Sequence, residues 1–192
     1  MSKGQRVGIF GGLFDPPHIG HLIIAQAVLD EFRLHQIIFV PAGNPPHKRA
    51  HSSYAARYHM TKLAIRDNRY FAISDIEKHM PGKTYTVDVV AALRASLQAR
   101  LYLIIGSDQW EEIGTWKRPQ ELFKLCRVIV APRPGHTLDT HRLSHPMLHV
   151  SKTPLLDVSS TMIRKKIKNH HSIMYYVRAD VLKYIKRKKL YG

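Results

Sequence analysis

The chain holds one cysteine, Cys126, among its 192 residues. That excludes an intrachain disulfide and suits a reducing compartment. Acids are also scarce: 14 Asp and Glu stand against 30 Lys and Arg, a formal net charge of +16. Such a surplus attracts polyanions, whether nucleotide phosphates, nucleic acid or an acidic membrane. No apolar run approaches the roughly 20 residues that cross a bilayer. The opening Met1-Ser2-Lys3-Gly4-Gln5-Arg6 leads into a strand pattern without the apolar core of a signal peptide. A cytoplasmic protein with no membrane partner is expected. Internal repeats, low-complexity tracts and linkers are missing as well, so residues 1–192 are expected to form a single domain, long enough for one good core. The basic clusters Arg164-Lys165-Lys166, Lys168 and Lys186-Arg187-Lys188-Lys189 lack interleaved aromatics. A single-strand binder would need those as stacking plates. The last cluster reads as a solvated helix face, and nucleic acid is not expected as a partner.

One stretch organises what is present: Gly11-Gly12-Leu13-Phe14-Asp15-Pro16-Pro17-His18-Ile19-Gly20-His21. Before it, Arg6 to Phe10 reads as a buried strand carrying Val7 and Ile9. After it, Leu22, Ala25, Leu29 and Phe32 recur with the spacing of one helix face. The stretch is thus predicted to be a tight turn between a strand and the mouth of a helix. Gly11 and Gly12 permit a sharp turn and close ligand approach, because no Cβ blocks either. The helix mouth offers unpaired N–H groups and a positive dipole end. His18 and His21 lie three apart and can face one ligand. A metal pair is less apt, because no close Cys, Asp or Glu completes a ligand set. A phosphate fits the combination.

The remaining chain alternates strands and helices. Gln36 to Val40 is a strand stopped by Pro41, so a right-handed βαβ unit is expected. The loop Pro41 to Arg49 follows the carboxyl end of that strand, where open α/β sheets bind ligands. His47, Lys48 and Arg49 could hold phosphate there, or could simply be solvated. Ser52 or Ser53 caps a helix from Tyr54 to about Arg66, and Tyr70 to Ser74 is another strand. Thr84 or Thr86 is expected to cap a helix bearing Val89, Val90, Leu93 and Leu97. Leu101 to Ile105 is the clearest strand; its near-continuous apolar run predicts burial on both faces. It ends in Gly106-Ser107-Asp108, where Asp108 could grip ribose hydroxyls, help a metal, or cap a helix as Ser107 also could. Trp116 is either a core plug or a stacking plate. Arg127 to Ala131 is a strand, residues 136 to 146 a long polar loop, and Met147 to Val150 a short last strand. Ser159 or Ser160 then caps a helix with Ile163 and Ile167 on its buried side, and Arg164 lies one turn along. That mouth could hold a polyphosphate tail.

The string from Gly11 to His21 resembles the phosphate-binding turn of the nucleotidyltransferase superfamily, in which the tetrad His18-Ile19-Gly20-His21 contacts ATP. Class I aminoacyl-tRNA synthetases share the tetrad. Four stretches together, Gly11 to His21, Pro41 to Lys48, Gly106 to Asp108 with Trp116, and Ser159 to Arg164, are similar to bacterial nicotinate mononucleotide adenylyltransferase over nearly the whole chain. The resemblance implies an α/β fold: a Rossmann-like, doubly wound, mostly parallel sheet with helices on both faces. Residues from about 159 to 192 would complete the ATP site. It implies transfer of AMP from ATP to nicotinate mononucleotide, with Mg²⁺ bound to ATP rather than held directly by the protein.

By the same resemblance His18, His21 and Arg164 carry the catalysis. Gly11, Gly12, Phe14, Gly106, Asp108, Ser160 and Thr161 join them around ATP. The acceptor falls to His47, Lys48, Tyr85, Thr86, Trp116, Lys117 and Arg133. Three departures from the family pattern stand out: Thr84 where Ser is usual, Gly43-Asn44 in an Asn-rich loop, and Val177-Arg178 for Leu-Pro. The alternatives are a related adenylyltransferase for nicotinamide mononucleotide or phosphopantetheine, and a non-catalytic basic nucleic-acid-binding module. The sequence is compatible with a homo-oligomer.

Overall fold

The computed structural model describes residues 4–46, 49–136, 138 and 146–192. Six strands form one sheet: β1 (Arg6–Gly12), β2 (Gln36–Pro41), β3 (Phe71–Ile73), β4 (Arg100–Gly106), β5 (Arg127–Ala131) and β6 (Leu148–Val150). Their order is β3-β2-β1-β4-β5-β6, and every pairing is parallel. The expected doubly wound sheet is thus present, with its order reversing between β1 and β4. Crevices for ligands open outside the carboxyl ends of strands at such a reversal.

Alternation along the strands sends side chains to two cores. Phe10, Phe39, Tyr102 and Ile104 face α1 (Ile19–Glu31) and α2 (Tyr54–Ile65), together with α6 (Ser160–Lys168) and α7 (Ala179–Arg187). Ile9, Val40, Leu103 and Val130 face α3 (Thr86–Ser96), α4 (Ser107–Glu111) and α5 (Pro119–Leu125). Both faces of β4 are covered, which accounts for its unbroken apolar run.

Local details differ from the sequence reading at three points, and a fourth, the cap of α6, is resolved between the two serines expected there. Gly11 and Gly12 do not make the turn; both belong to β1, and the left-handed residue is Phe14, with φ 51°. Neither Thr84 nor Thr86 caps α3, whose cap position is Tyr85 without a side-chain bond. The Thr84 hydroxyl is drawn instead to Glu77, 2.6 Å away. Ser107 and Asp108 lie within α4, which starts after Gly106, and both turn toward Arg133. At α6 it is Ser159 that caps, accepting from the Met162 amide, while Ser160 donates to the Pro16 carbonyl.

Candidate active site

The loop leaving β1 is pinned from beneath. Arg57, only 2 % exposed, donates to the Leu13 carbonyl at 2.9 Å. Asp15, 1 % exposed, accepts from the Ser52 hydroxyl at 2.5 Å, the Tyr191 hydroxyl at 2.6 Å and the His51 and Ser52 amides. Its backbone carbonyl accepts from Arg164, and the next one, that of Pro16, from Ser160. The two phosphate-type motifs, far apart in sequence, are therefore bonded to each other.

The histidine pair sits on this platform. His18 and His21 stack with centroids 3.6 Å apart, and Phe14 packs its ring edgewise against His21 at 5.0 Å. The His18 amide donates to His21 Nδ1 at 3.1 Å. A neutral His21 must then carry its proton on Nε2. Burial, with Arg133 adding repulsion, lowers the His18 pKa to about 3. Burial, then the His18 and Arg133 charges, hold His21 well below the usual histidine range. Both rings are neutral at pH 7 and act as hydrogen-bonding groups. His18 Nδ1 is buried with no partner among the described residues. A Cβ at position 20 would come within 3.1 Å of that atom, so Gly20 leaves room for the ring.

Around the pair opens a cavity of about 400 Å³, lined also by Gly106, Asp108, Arg133, Ser160, Thr161 and Arg164. Arg164 reaches the Thr161 hydroxyl at 3.0 Å, and Arg133 bonds Asp108 at 2.8 Å. Asp108 Oδ1 is buried without a partner among the described residues. A second cavity, of about 180 Å³, adjoins it and shares Gly11, Gly12, Leu13, Ile105 and Gln109. Its walls include Tyr85, Thr86, Trp116 and Lys117. A Cβ on Gly11 would meet nothing within 4 Å, so the backbone between the cavities is open to a ligand.

Trp116 is half-buried: it packs against the core that holds Leu103 and Val130 and also lines this cavity. Lys117 stands 4.4 Å from the Tyr85 ring centroid and pairs with Asp88. Arg133, expected beside the acceptor, lines the histidine cavity instead. His47 and Lys48 lie outside the described residues. Asp15, Arg57, Glu77 and Tyr191 are not among the site residues expected from the sequence. A local signal existed for Arg57 alone, a charge on the buried stripe of α2 with Ala56, Met60 and Ala64.

The cytidylyltransferase-like family model matches residues 9–166. A relative from Moorella thermoacetica, named "Probable nicotinate-nucleotide adenylyltransferase", is 43% identical and aligns over 100% of this chain and 94% of its own. Relatives of the same name from Desulfitobacterium hafniense and Thermoanaerobacter are each 40% identical, over 97% and 100% of this chain and 96% of their own lengths. The chain belongs to the nicotinate-nucleotide adenylyltransferase family. In fold it is similar to the nicotinic acid mononucleotide adenylyltransferase of Plasmodium falciparum, solved with APC and with NaAD. The TM-score is 0.83 over 97% of both chains, at 21% and 22% identity. Family membership agrees with two adjoining cavities at the sheet reversal. No helix among the described residues is long and apolar enough to cross a membrane.

Proposed function

We propose that this chain transfers the adenylyl group of ATP to nicotinate mononucleotide, giving deamido-NAD and pyrophosphate, a step in NAD biosynthesis. The observation that carries the reading is the junction of a histidine- and arginine-lined cavity with a Trp116-lined one at the bare backbone of Gly11 and Gly12. One cavity suits a triphosphate, the other a flat heterocycle.

The attacking atom is a phosphate oxygen of the mononucleotide. With a second pKa near 6, that phosphate is largely a dianion at neutral pH and needs no general base. The oxygen bonds to the α-phosphorus as the bond to the bridging oxygen breaks, and pyrophosphate departs. Such transfers depend chiefly on positioning and on stabilising charge. His18 and His21 hold the α-phosphate, His21 donating from Nε2. Ser160, Thr161 and Arg164 hold the β- and γ-phosphates, Arg164 through charge-assisted bonds. Arg133, on the histidine side, adds positive charge to that end of the cavity. Gly12 and Phe14 lie along the nucleotide, and Gly106 with Asp108 at its ribose.

A divalent cation bound with ATP, Mg²⁺ in this reading, would offset charge on the leaving pyrophosphate. Magnesium keeps several waters and commonly binds through phosphates. Asp108 Oδ1, buried and unpartnered, is the carboxylate oxygen of this wall that could meet it or a ribose hydroxyl. The pyridinium ring stacks on Trp116, where cation–π attraction contributes roughly 0.5–2 kcal/mol. Amides near Thr86 and Lys117 meet the nicotinate carboxylate. This reading treats residues 1–192 as one nucleotidyltransferase domain, working in the cytoplasm, with residues 159–192 completing the ATP site.

The test is pyrophosphate release from ATP and Mg²⁺ with nicotinate mononucleotide, nicotinamide mononucleotide and phosphopantetheine in parallel. Turnover strongly favouring the first is expected. Preference for another acceptor would overturn the acceptor assignment. Salt-sensitive binding of RNA with no turnover would overturn the reaction itself.

A further inference from the structure

Two segments line the acceptor cavity, the loop after β2 and the segment before α3. Glu77, on the 3₁₀ turn Ile76–His79, stands where they join and lines the cavity. Its Oε2 accepts from the Gly43 amide at 2.9 Å and from the Thr84 hydroxyl at 2.6 Å. Thr84, only 6 % exposed, accepts in turn from the Asn44 amide at 3.3 Å. The Thr84 amide donates back to the Asn44 carbonyl at 3.0 Å, and the Asn44 side chain donates to Gly82. Every donor has an acceptor, and the direction of each bond is fixed. Position 43 has no room for a side chain, because a Cβ would lie 2.5 Å from the Glu77 carbonyl oxygen. Glu77, Gly43, Asn44 and Thr84 are one bonded unit.

We propose that Glu77 is a positioning residue for the acceptor. Through Gly43 and Thr84 it fixes the spacing between the Pro45–Pro46 wall and the Tyr85–Thr86 wall, and so the seat of the nicotinate ring. The inference rests on the adenylyl-transfer reading above. It assigns Glu77 no contact with ATP, whose cavity does not include it.

The experiment measures steady-state kinetics with each substrate varied in turn, alongside melting temperature. Glu77→Ala and Gly43→Ala are expected to raise KM for nicotinate mononucleotide roughly tenfold, equivalent to about 1.4 kcal/mol, with KM for ATP unchanged. Glu77→Gln keeps a carbonyl oxygen that can accept both bonds, and is expected to restore KM. An unchanged acceptor KM in both alanine variants, whatever their melting temperature, would overturn the proposal. So would a glutamine variant as impaired as the alanine one, since charge rather than positioning would then be at work. No turnover of nicotinate mononucleotide by the unaltered protein would instead sink the functional reading, and this inference with it.

Discussion

The Tyr191 hydroxyl donates to Asp15 Oδ1 at 2.6 Å, tying the penultimate residue of the chain to the turn that carries the histidine pair. Burial and the neighbouring carboxylate push the pKa of that hydroxyl up, so it stays a donor. Tyr191→Phe removes one bond while the Ser52 hydroxyl still serves the same oxygen. A bond to a carboxylate contributes about 1.5–3 kcal/mol. The expected loss lies at the lower end of that range, read as a lowered midpoint in urea unfolding with an unchanged slope. A midpoint equal to that of the unaltered protein would mean that Ser52 alone satisfies Asp15.

That bond marks where the sequence stopped being legible. Leu101 to Ile105 and Arg127 to Ala131 announced themselves because strands buried on both faces read as apolar runs. The motif ends were equally plain, and the structure brings them together. Asp15 and Tyr191 lie 176 residues apart, and no local periodicity records such a pairing. Residue type places the turn on Gly11 and Gly12, yet both continue the strand, the space beside Gly11 is open, and Phe14 bears the left-handed backbone. Arg133 shows the same limit. Its position after β5 was visible, but the attraction of Asp108 decides which cavity its side chain joins.

Acid should weaken the fold through the histidine pair. Unfolded, each imidazole takes a proton near the ordinary value of 6.5; folded, His18 resists protonation down to about 3 and His21 is also held well below normal. A depressed folded pKa gives stability that is complete above pH 6.5 and is lost as pH falls toward the folded value. The slope is about 1.4 kcal/mol per pH unit for each such group. Between pH 6.5 and 5 His18 alone should therefore cost roughly 2 kcal/mol, and His21 adds to the loss in the same direction. Urea unfolding over that range measures the loss. In an NMR titration the His18 ring signal should not titrate above pH 5, and that of His21 should titrate well below the ordinary histidine range. Both rings titrating near pH 6.5 would rule the account out.

Arg164 is the charged link between the two phosphate motifs, bonded at once to the Asp15 carbonyl and the Thr161 hydroxyl. In the proposed reaction it also holds the departing phosphates. Charge-assisted bonds contribute about 1.5–3 kcal/mol, so Arg164→Ala should lower kcat/KM by roughly 10- to 150-fold. His21→Ala should lower kcat more than it raises KM for ATP, because the ring steadies charge that develops during transfer. Normal kinetics in a folded Arg164→Ala protein would remove the residue from the site. Equal effects of His21→Ala on kcat and on ATP binding would reduce that histidine to a binding group.

Gly106 tests the ribose end of the cavity by steric means alone. Its backbone is ordinary, with φ −79°, so alanine costs nothing in conformation there. A Cβ, however, would lie 2.3 Å from Asp108 Oδ1 and 2.8 Å from Arg133 Cδ. Both distances are too short to keep, so the Asp108–Arg133 pair must swing away from the wall. The pair is partly exposed, and losing it should cost stability little. The loss should fall on ATP. Gly106→Ala is expected to raise KM for ATP roughly tenfold, equivalent to about 1.4 kcal/mol. The melting temperature should stay near that of the unaltered protein. Asp108→Ala in the same background should add little, because the carboxylate has already been displaced. Fully additive effects of the two substitutions would show that Gly106 and Asp108 act on the nucleotide separately, and would break the link drawn between them.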